Sequence, residues 1–133
     1  MTQEHIDLLT KDLCGRLPYK VKDSTKLGNN IIVSFIEEDT IIGEDGDSYD
    51  ISFITPYLFP LSSITEEQYE EFRIICGWDG DIEDIRRGKF SCIGYIGLDY
   101  IYDTIDWFNK NHFDYRGLIE KGLALKAPDG MYN

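Results

Sequence analysis

Hydrophobic residues recur every three or four positions at the start of the chain, a spacing that predicts an amphipathic helix. The apolar stripe consists of Ile6, Leu9, Leu13 and Leu17. Thr2 can accept a hydrogen bond from the first turn as an N-cap, and Gly15 and Pro18 are helix stop signals. A first helix is therefore predicted over about 3–15.

The same spacing predicts two further helices in the second half of the chain. Thr65 and Gln68 have the separation of a capping box, in which each side chain bonds the backbone N–H of the other residue. The helix that they begin is predicted to end at Gly77 and to bury Tyr69, Phe72 and Cys76. The third helix is predicted to end near 109–112, and its apolar face consists of Leu98, Ile101, Tyr102, Ile105 and Phe108.

Between the first two helices the pattern changes to that of strands. Four runs rich in β-branched and aromatic residues are separated by turn sequences. They cover residues 19–23, 30–37, 40–42 and 49–54. In the last run Tyr49, Ile51 and Phe53 alternate with polar residues, which is typical of a strand with one buried face. We predict an antiparallel meander of three or four strands.

Three stretches have no regular pattern. Two prolines four positions apart remove backbone donors, so residues 55–61 are predicted to be an apolar connector and not a strand. Residues 78–97 contain turn sequences and a candidate strand within 90–96. Residues 113–133, which hold three glycines and a proline, are predicted to form short turns.

These elements together predict one α+β domain over residues 1–133. It begins with the N-terminal helix and continues as an antiparallel three- to four-stranded meander from about 19 to 54. Two further helices are expected to pack on one sheet face.

Composition narrows the class of protein. The chain has 133 residues, of which 42% are hydrophobic and 14% aromatic, enough for one core and too much buriable surface for a disordered coil. No secretory signal pattern is visible, and no apolar run approaches the roughly 20 residues that span a bilayer. Cys14, Cys76 and Cys92 are isolated, as expected of reduced thiols. We expect a cytoplasmic protein that does not bind membranes.

The net charge of −12 is concentrated in one third of the chain. Residues 37–84 carry fifteen acids and one base, whereas each flanking region has a net charge of +1. Such a balance argues against direct nucleic-acid binding, which needs a cationic face. A set of solvated loops explains the charge, and so does an acidic surface for a basic protein partner. The candidate partner-binding residues are Glu44, Asp45, Asp47, Asp50, Glu66, Glu67, Glu70 and Glu71.

No metal site or cofactor is predicted. The acidic stretches Glu44–Asp50 and Asp79–Asp84 resemble calcium loops, but neither has the glycine and glutamate positions of an EF-hand. The two histidines and three cysteines are too scattered for a zinc site. Both stretches are therefore interpreted as acidic turns.

The candidates for catalysis are His112, Asp114, Tyr115 and Arg116, where imidazole, carboxylate, phenol and guanidinium groups occur together. This combination suits an acid/base or anion site. The alternative is structural: a histidine favoured at a helix C-terminus, with Asp114 and Arg116 paired to fix the turn. The structural interpretation is preferred, and an enzyme is the less favoured class.

Three stretches carry a family resemblance: residues 12–19 (DLCGRLPY), 56–63 (PYLFPLSS) and 111–119 (NHFDYRGLI). They resemble a group of short uncharacterised acidic proteins found in Bacteroides-type gut bacteria and their phages or mobile elements. The resemblance implies a bacterial or phage origin and a cytoplasmic location. It implies no activity, cofactor or catalytic residue.

The leading functional hypothesis is a non-catalytic module that engages a basic protein surface through residues 37–84. Long-range attraction would raise the association rate and select the partner. A phage or mobile-element inhibitor and an immunity-type protein are two versions of this hypothesis. The alternative is a small enzyme or small-molecule binder that uses the residues from His112 to Arg116. A homo-oligomer held by the connector 56–61 is a third hypothesis.

Overall fold

The computed structural model describes residues 1–88 and 98–132, so the candidate strand within 90–96 lies outside the described residues. The described elements are helices and a mostly antiparallel sheet, which confirms the α+β class. No helix in this part of the chain has the length and hydropathy to span a membrane.

The chain forms two compact units, each with a hydrophobic core of its own. Unit 1 comprises Met1–Leu58 and Arg116–Asn133, and unit 2 comprises Phe59–Tyr115. The prediction of a single domain over residues 1–133 stays a prediction.

Unit 1 begins with helix α1, Gln3–Arg16, close to the predicted bounds. The Thr2 hydroxyl accepts a hydrogen bond from the His5 amide at 3.1 Å, which confirms the predicted N-cap. Leu9 and Leu13 are completely buried in the core of unit 1, together with side chains of the sheet. The helical spacing of these leucines therefore identifies the face that α1 packs onto the sheet.

The sheet of unit 1 has six strands in the order β4-β3-β2-β1-β5-β6. The strands are β1 Lys22–Thr25, β2 Asn30–Glu37, β3 Thr40–Gly43, β4 Ser48–Asp50, β5 Ile54–Leu58 and β6 Leu125–Lys126. Strands β1 to β4 form the predicted antiparallel meander. Strand β1 begins later than predicted because the 3-10 helix Leu17–Tyr19 and the left-handed residue Lys20 precede it.

The strand expected over residues 49–54 is interrupted. Asp50 ends β4 and caps the 3-10 helix Ile51–Phe53 by accepting a hydrogen bond from the Ser52 amide at 2.9 Å. The alternation of polar and apolar residues continues through this turn, so the pattern alone did not reveal it. The chain re-enters the sheet at Ile54.

The prediction of a connector over residues 55–61 is wrong, because β5 contains Pro56. The Lys26 amide donates to the Phe53 carbonyl at 3.0 Å, so these two residues form a hydrogen-bonded pair. Hydrogen-bonded and non-hydrogen-bonded pairs alternate along antiparallel strands such as β1 and β5. Pro56 faces Asp23 at a non-bonded position, so β1 does not use the N–H that proline lacks. On the other side, pairing with β6 begins one residue later.

Strand β6 was not predicted. It is two residues long, both are exposed, and it pairs in parallel with the end of β5. The Ala127 amide extends this pairing with a 2.8 Å bond to the Leu58 carbonyl. The rest of the segment 113–132 is turns apart from an isolated bridge, as its glycines indicated.

Unit 2 contains helices α2 Glu66–Cys76, α3 Ile82–Arg86 and α4 Leu98–Lys110. The capping box is confirmed: the Thr65 hydroxyl accepts from the Gln68 amide at 3.1 Å, and the Gln68 side chain accepts from the Thr65 amide at 2.9 Å. Gly77 ends α2 in the left-handed conformation that favours glycine. The acidic stretch Asp79–Asp84, interpreted as a turn, continues into α3.

The core of unit 2 is largely aromatic. The Phe72 ring of α2 lies 5.1 Å from Trp107 and 5.2 Å from Phe108 of α4, measured between ring centroids. Trp78 and Phe113 complete the buried aromatic set. Helices α2 and α4 therefore pack against each other through these rings.

The predicted apolar face of α4 is wrong in part, because Tyr102 and Ile105 are exposed and the helix buries Trp107 beside Phe108 instead. The packing of both helices on the sheet stays a prediction.

Candidate functional site

Unit 1 contains an open cleft with a volume of ≈ 640 Å³, within the range of small-ligand pockets, about 300–1,000 Å³. Its lining residues are Lys22, Asn30, Ile31, Ile32, Glu44, Asp45, Pro128, Asp129, Gly130 and Met131. They belong to β1, β2, the turn after β3 and a segment that follows β6. The charged side chains are three carboxylates and one ammonium group. We call this surface the acidic cleft.

The turn after β3 fixes one of the three carboxylates. Asp45 accepts a hydrogen bond from the Asp47 amide at 3.0 Å and another from the Tyr49 hydroxyl at 3.0 Å. A Cβ at Gly43 would lie 2.5 Å from the Asp45 carboxylate, so glycine leaves room for this arrangement. The Asp45 side chain is therefore positioned by its own turn before any partner arrives.

The basic side chains near the cleft neutralise it only in part. The Lys22 ammonium donates to the Met131 carbonyl at 2.7 Å and lies 5.6 Å from the centroid of the Tyr132 ring. Lys20 contacts Glu44 at 3.4 Å, with both side chains largely exposed, and such pairs contribute little. The cleft therefore offers carboxylate oxygens to a positively charged group.

Unit 1 also contains a charged group that consists of the buried residues Asp12, Arg16 and Asp23 and the half-buried Arg116. Arg16 Nε donates to Asp12 Oδ2 at 2.7 Å, and neither side chain is exposed. Arg116 Nε lies 3.4 Å from Asp12 Oδ1. Two guanidinium groups thus neutralise the Asp12 carboxylate in the interior.

Asp23 is the member of this group whose carboxylate lacks hydrogen bonds. It is fully buried, and its two carboxylate oxygens have no hydrogen-bond partner among the described residues. Burial, and then the neighbouring Asp12 carboxylate, raise the pKa of Asp23 well above its ordinary value, while Arg16 opposes them. The neutral form is therefore favoured far more than for an exposed aspartic acid.

Tyr132 joins β1 to β5 beside this group. Its hydroxyl accepts a hydrogen bond from the Lys22 amide at 2.9 Å and donates to the Tyr57 carbonyl at 2.8 Å. The register that pairs Asp23 with Pro56 would place Lys22 opposite Tyr57 next. The Tyr132 hydroxyl therefore bridges an amide and a carbonyl that this register would otherwise pair directly. Lys22 and Met131, its neighbours, line the acidic cleft.

All eight predicted partner-binding acids are exposed. Four lie in unit 1: Glu44, Asp45 and Asp47 in the turn after β3, and Asp50 at the end of β4. The other four, Glu66, Glu67, Glu70 and Glu71, lie on α2 of unit 2. Two of the eight, Glu44 and Asp45, line the cleft, which also contains Asp129 from outside the predicted set.

Besides Glu44 and Asp45, three of these acids have partners within their own unit. Two hydrogen bonds from Ser52 lower the pKa of Asp50. Glu70 contacts Arg73 at 3.1 Å, and Glu71 accepts a hydrogen bond from the Trp107 indole at 3.1 Å. These contacts support a structural contribution of the acids besides any role in binding.

The four catalytic candidates divide between the two units. In unit 2 His112 follows α4 with a positive φ of 61°, and both His112 and Asp114 are buried. Their backbones bond Phe59, since the Phe59 amide donates to the His112 carbonyl at 2.8 Å and the Asp114 amide donates to the Phe59 carbonyl at 2.9 Å. This segment therefore forms a strand-like bridge. The predicted role of His112 in catalysis stays a prediction.

The other two candidates have separate surroundings. The Tyr115 ring stacks on Phe108 of α4, with centroids 5.6 Å apart. Arg116 belongs to unit 1, where it contacts Asp12. Among the described residues, no group of three or more histidine, cysteine or acidic side chains is positioned to hold a metal ion.

Comparisons of the chain with protein-family models, with curated proteins and with solved structures found no match.

Proposed function

We propose that the protein is a non-catalytic module that binds a basic protein surface, and that the acidic cleft of unit 1 receives a lysine or arginine side chain of the partner. One observation carries the proposal: three acidic residues, Glu44, Asp45 and Asp129, line a concave surface. Lys22 is the one basic residue among the described residues of the same lining. A carboxylate accepts two parallel hydrogen bonds from a guanidinium group. A concave surface lined by carboxylates also concentrates their negative electrostatic field.

Apolar atoms beside the carboxylates support the same class of ligand. Ile32, Pro128 and Met131 line the cleft together with the acids. The aliphatic stems of lysine and arginine pack on apolar surface while the charged head remains with its counter-charges. The stem of a lysine or arginine side chain therefore suits the apolar lining of the cleft, and its charged head suits the carboxylates.

The acids on α2 extend the proposal to a second surface. Glu66, Glu67 and Glu70 are exposed on the first turns of this helix, and they contribute to long-range attraction wherever the partner docks. The proposal includes a cytoplasmic location, a phage or mobile-element inhibitor or immunity-type role, and no direct binding of nucleic acid.

The salt dependence of binding tests the proposal. A fluorescent oligo-arginine peptide serves as the probe, and an uncharged peptide of the same length is the control. Raising ionic strength from about 0.01 M to about 0.15 M shortens the screening length from about 30 Å to about 8 Å. We expect affinity for the basic peptide to fall steeply over this range; equal affinity at both salt concentrations contradicts the proposal.

A further inference from the structure

We propose that residues 128–132 are a latch across the acidic cleft, held by Tyr132 between β1 and β5 and released when the buried Asp23 carboxyl ionises. The latch is a property of unit 1 alone and does not depend on a basic partner. Three features support the latch. They are the hydrogen bonds that anchor the segment, the burial of the Asp23 carboxyl without hydrogen-bond partners among the described residues, and the smaller burial of Tyr132 compared with the buried face of helix α1.

Hydrogen bonds anchor the segment to β1 and β5. The Tyr132 hydroxyl bonds the Lys22 amide and the Tyr57 carbonyl, and the Lys22 ammonium bonds the Met131 carbonyl at 2.7 Å. Between this anchor and β6, Pro128, Asp129 and Gly130 are exposed turn residues. Loss of the Tyr132 contacts would therefore free one wall of the cleft and leave the ladder of β1 to β5 in place.

Asp23 is next to the anchor in the chain, and its carboxylate oxygens have no hydrogen-bond donor among the described residues. Asp12 and Arg16 face it from α1, and Arg116 is held on Asp12. From the two paired strands it is opposite Ile31 and Pro56, which carry no charge. Ionisation would create a second buried carboxylate beside Asp12, and a carboxylate held away from water without hydrogen-bond donors is strongly disfavoured.

Water reaches a buried carboxylate where the structure opens most easily. Helix α1 is fixed by Leu9 and Leu13 in the core, whereas the Tyr132 ring is only partly buried. Asp23 also acts on Tyr132 electrostatically: burial, and to a smaller extent the Asp23 charge, raise the pKa of the phenol. Release of Tyr132 is therefore the opening expected to accompany ionisation.

The sign of the pH dependence follows from linkage. Asp23 titrates at a raised pKa when the latch is closed and near the ordinary value, about 3.9, once it is solvated. The closed form is favoured at low pH, and opening increases up to about tenfold per pH unit between the two values. Above the raised value the opening equilibrium levels off.

Hydrogen exchange at the Lys22 amide, measured by NMR and corrected for intrinsic exchange, tests the latch in three proteins. In the natural protein we expect protection to fall as pH rises above about 4. In Asp23→Asn, which cannot ionise, protection should remain flat. In Tyr132→Phe the amide should exchange rapidly at every pH.

Each alternative outcome overturns the latch. Flat protection in the natural protein does so, and so does the same fall in Asp23→Asn. If Asp23→Asn fails to fold, Tyr132→Phe decides by itself, because it keeps the aromatic ring and removes only the hydroxyl that bonds Lys22 and Tyr57. Wild-type protection with a wild-type pH profile in Tyr132→Phe rejects the latch, whatever the result of the binding experiment.

Discussion

Asp12 and Arg16, one turn apart on α1, form an ion pair with a 2.7 Å contact and no exposure to solvent. A buried pair of this kind is a weak source of net stability, but removal of one partner leaves an uncompensated charge in the interior. Substitution of either residue alone should therefore destabilise unit 1.

The first prediction concerns this pair. Asp12→Ala should destabilise the protein by about 3–5 kcal/mol, because Arg16 would remain buried without its carboxylate. The double substitution Asp12→Leu with Arg16→Met should recover much of this loss. Urea unfolding measures both, and Glu70→Ala, which breaks the exposed pair with Arg73, is the control. Equal effects of Asp12→Ala and Glu70→Ala contradict the prediction.

The second prediction is a pH dependence of global stability. Because the pKa of Asp23 is raised in the folded state, its contribution is fully present below the ordinary value of about 3.9 and decreases as pH rises toward the folded value. Asp23→Asn should therefore gain stability relative to the natural protein as pH increases through this window. Urea midpoints across the pH range test this, and a difference that does not change with pH rejects it.

The third prediction concerns the start of α2. Thr65→Ala removes the hydroxyl that accepts from the Gln68 amide, which should cost about 0.5–2 kcal/mol. Thermal unfolding followed by fluorescence of Trp78 and Trp107, both buried in unit 2, reports the change. Thr65→Ser keeps the hydroxyl and should retain most of the stability. A loss in Thr65→Ser as large as in Thr65→Ala would show that the hydrogen bond is not responsible.

The fourth prediction concerns Gly80 in unit 2. A Cβ at this position would lie 2.7 Å from the Trp78 ring, and the Tyr69 hydroxyl bonds the Gly80 carbonyl. Gly80→Ala should therefore displace the indole, at a cost of about 1–3 kcal/mol for overpacking, and should shift the fluorescence of Trp78. Combining it with Trp78→Leu should give a smaller loss than the sum of the two single substitutions. An additive result contradicts the proposed clash.

The elements with strong local signals could be predicted from the sequence. The leucine spacing of α1, the capping box at Thr65 and the run of β2 each depend on residues within a few positions of one another. Strand β5 and strand β6 depend on distant partners instead. Pro56 is acceptable because of its pairing register with Asp23, and two exposed residues at Leu125–Lys126 give no periodic signal.

The candidate site was predictable to a smaller extent for the same reason. Clustering along the chain identified Glu44 and Asp45, which line the cleft. Asp129 joins them only through the fold, and Asp23 and Tyr132 come together across more than one hundred residues. Arg116 was grouped with His112 by sequence, yet its contact with Asp12 depends on the packing of unit 1.

The central claim is that the carboxylates of the acidic cleft, and not the total charge, bind a basic side chain. The most direct measurement compares oligo-arginine affinity in two variants that each lose three charges. One carries E44Q, D45N and D129N in the cleft; the other carries E37Q, E38Q and D39N at exposed positions around the β2–β3 turn. We expect the cleft variant to lose at least about tenfold in affinity, or 1.4 kcal/mol, and the control less than about threefold. Equal losses in the two variants would contradict the claim.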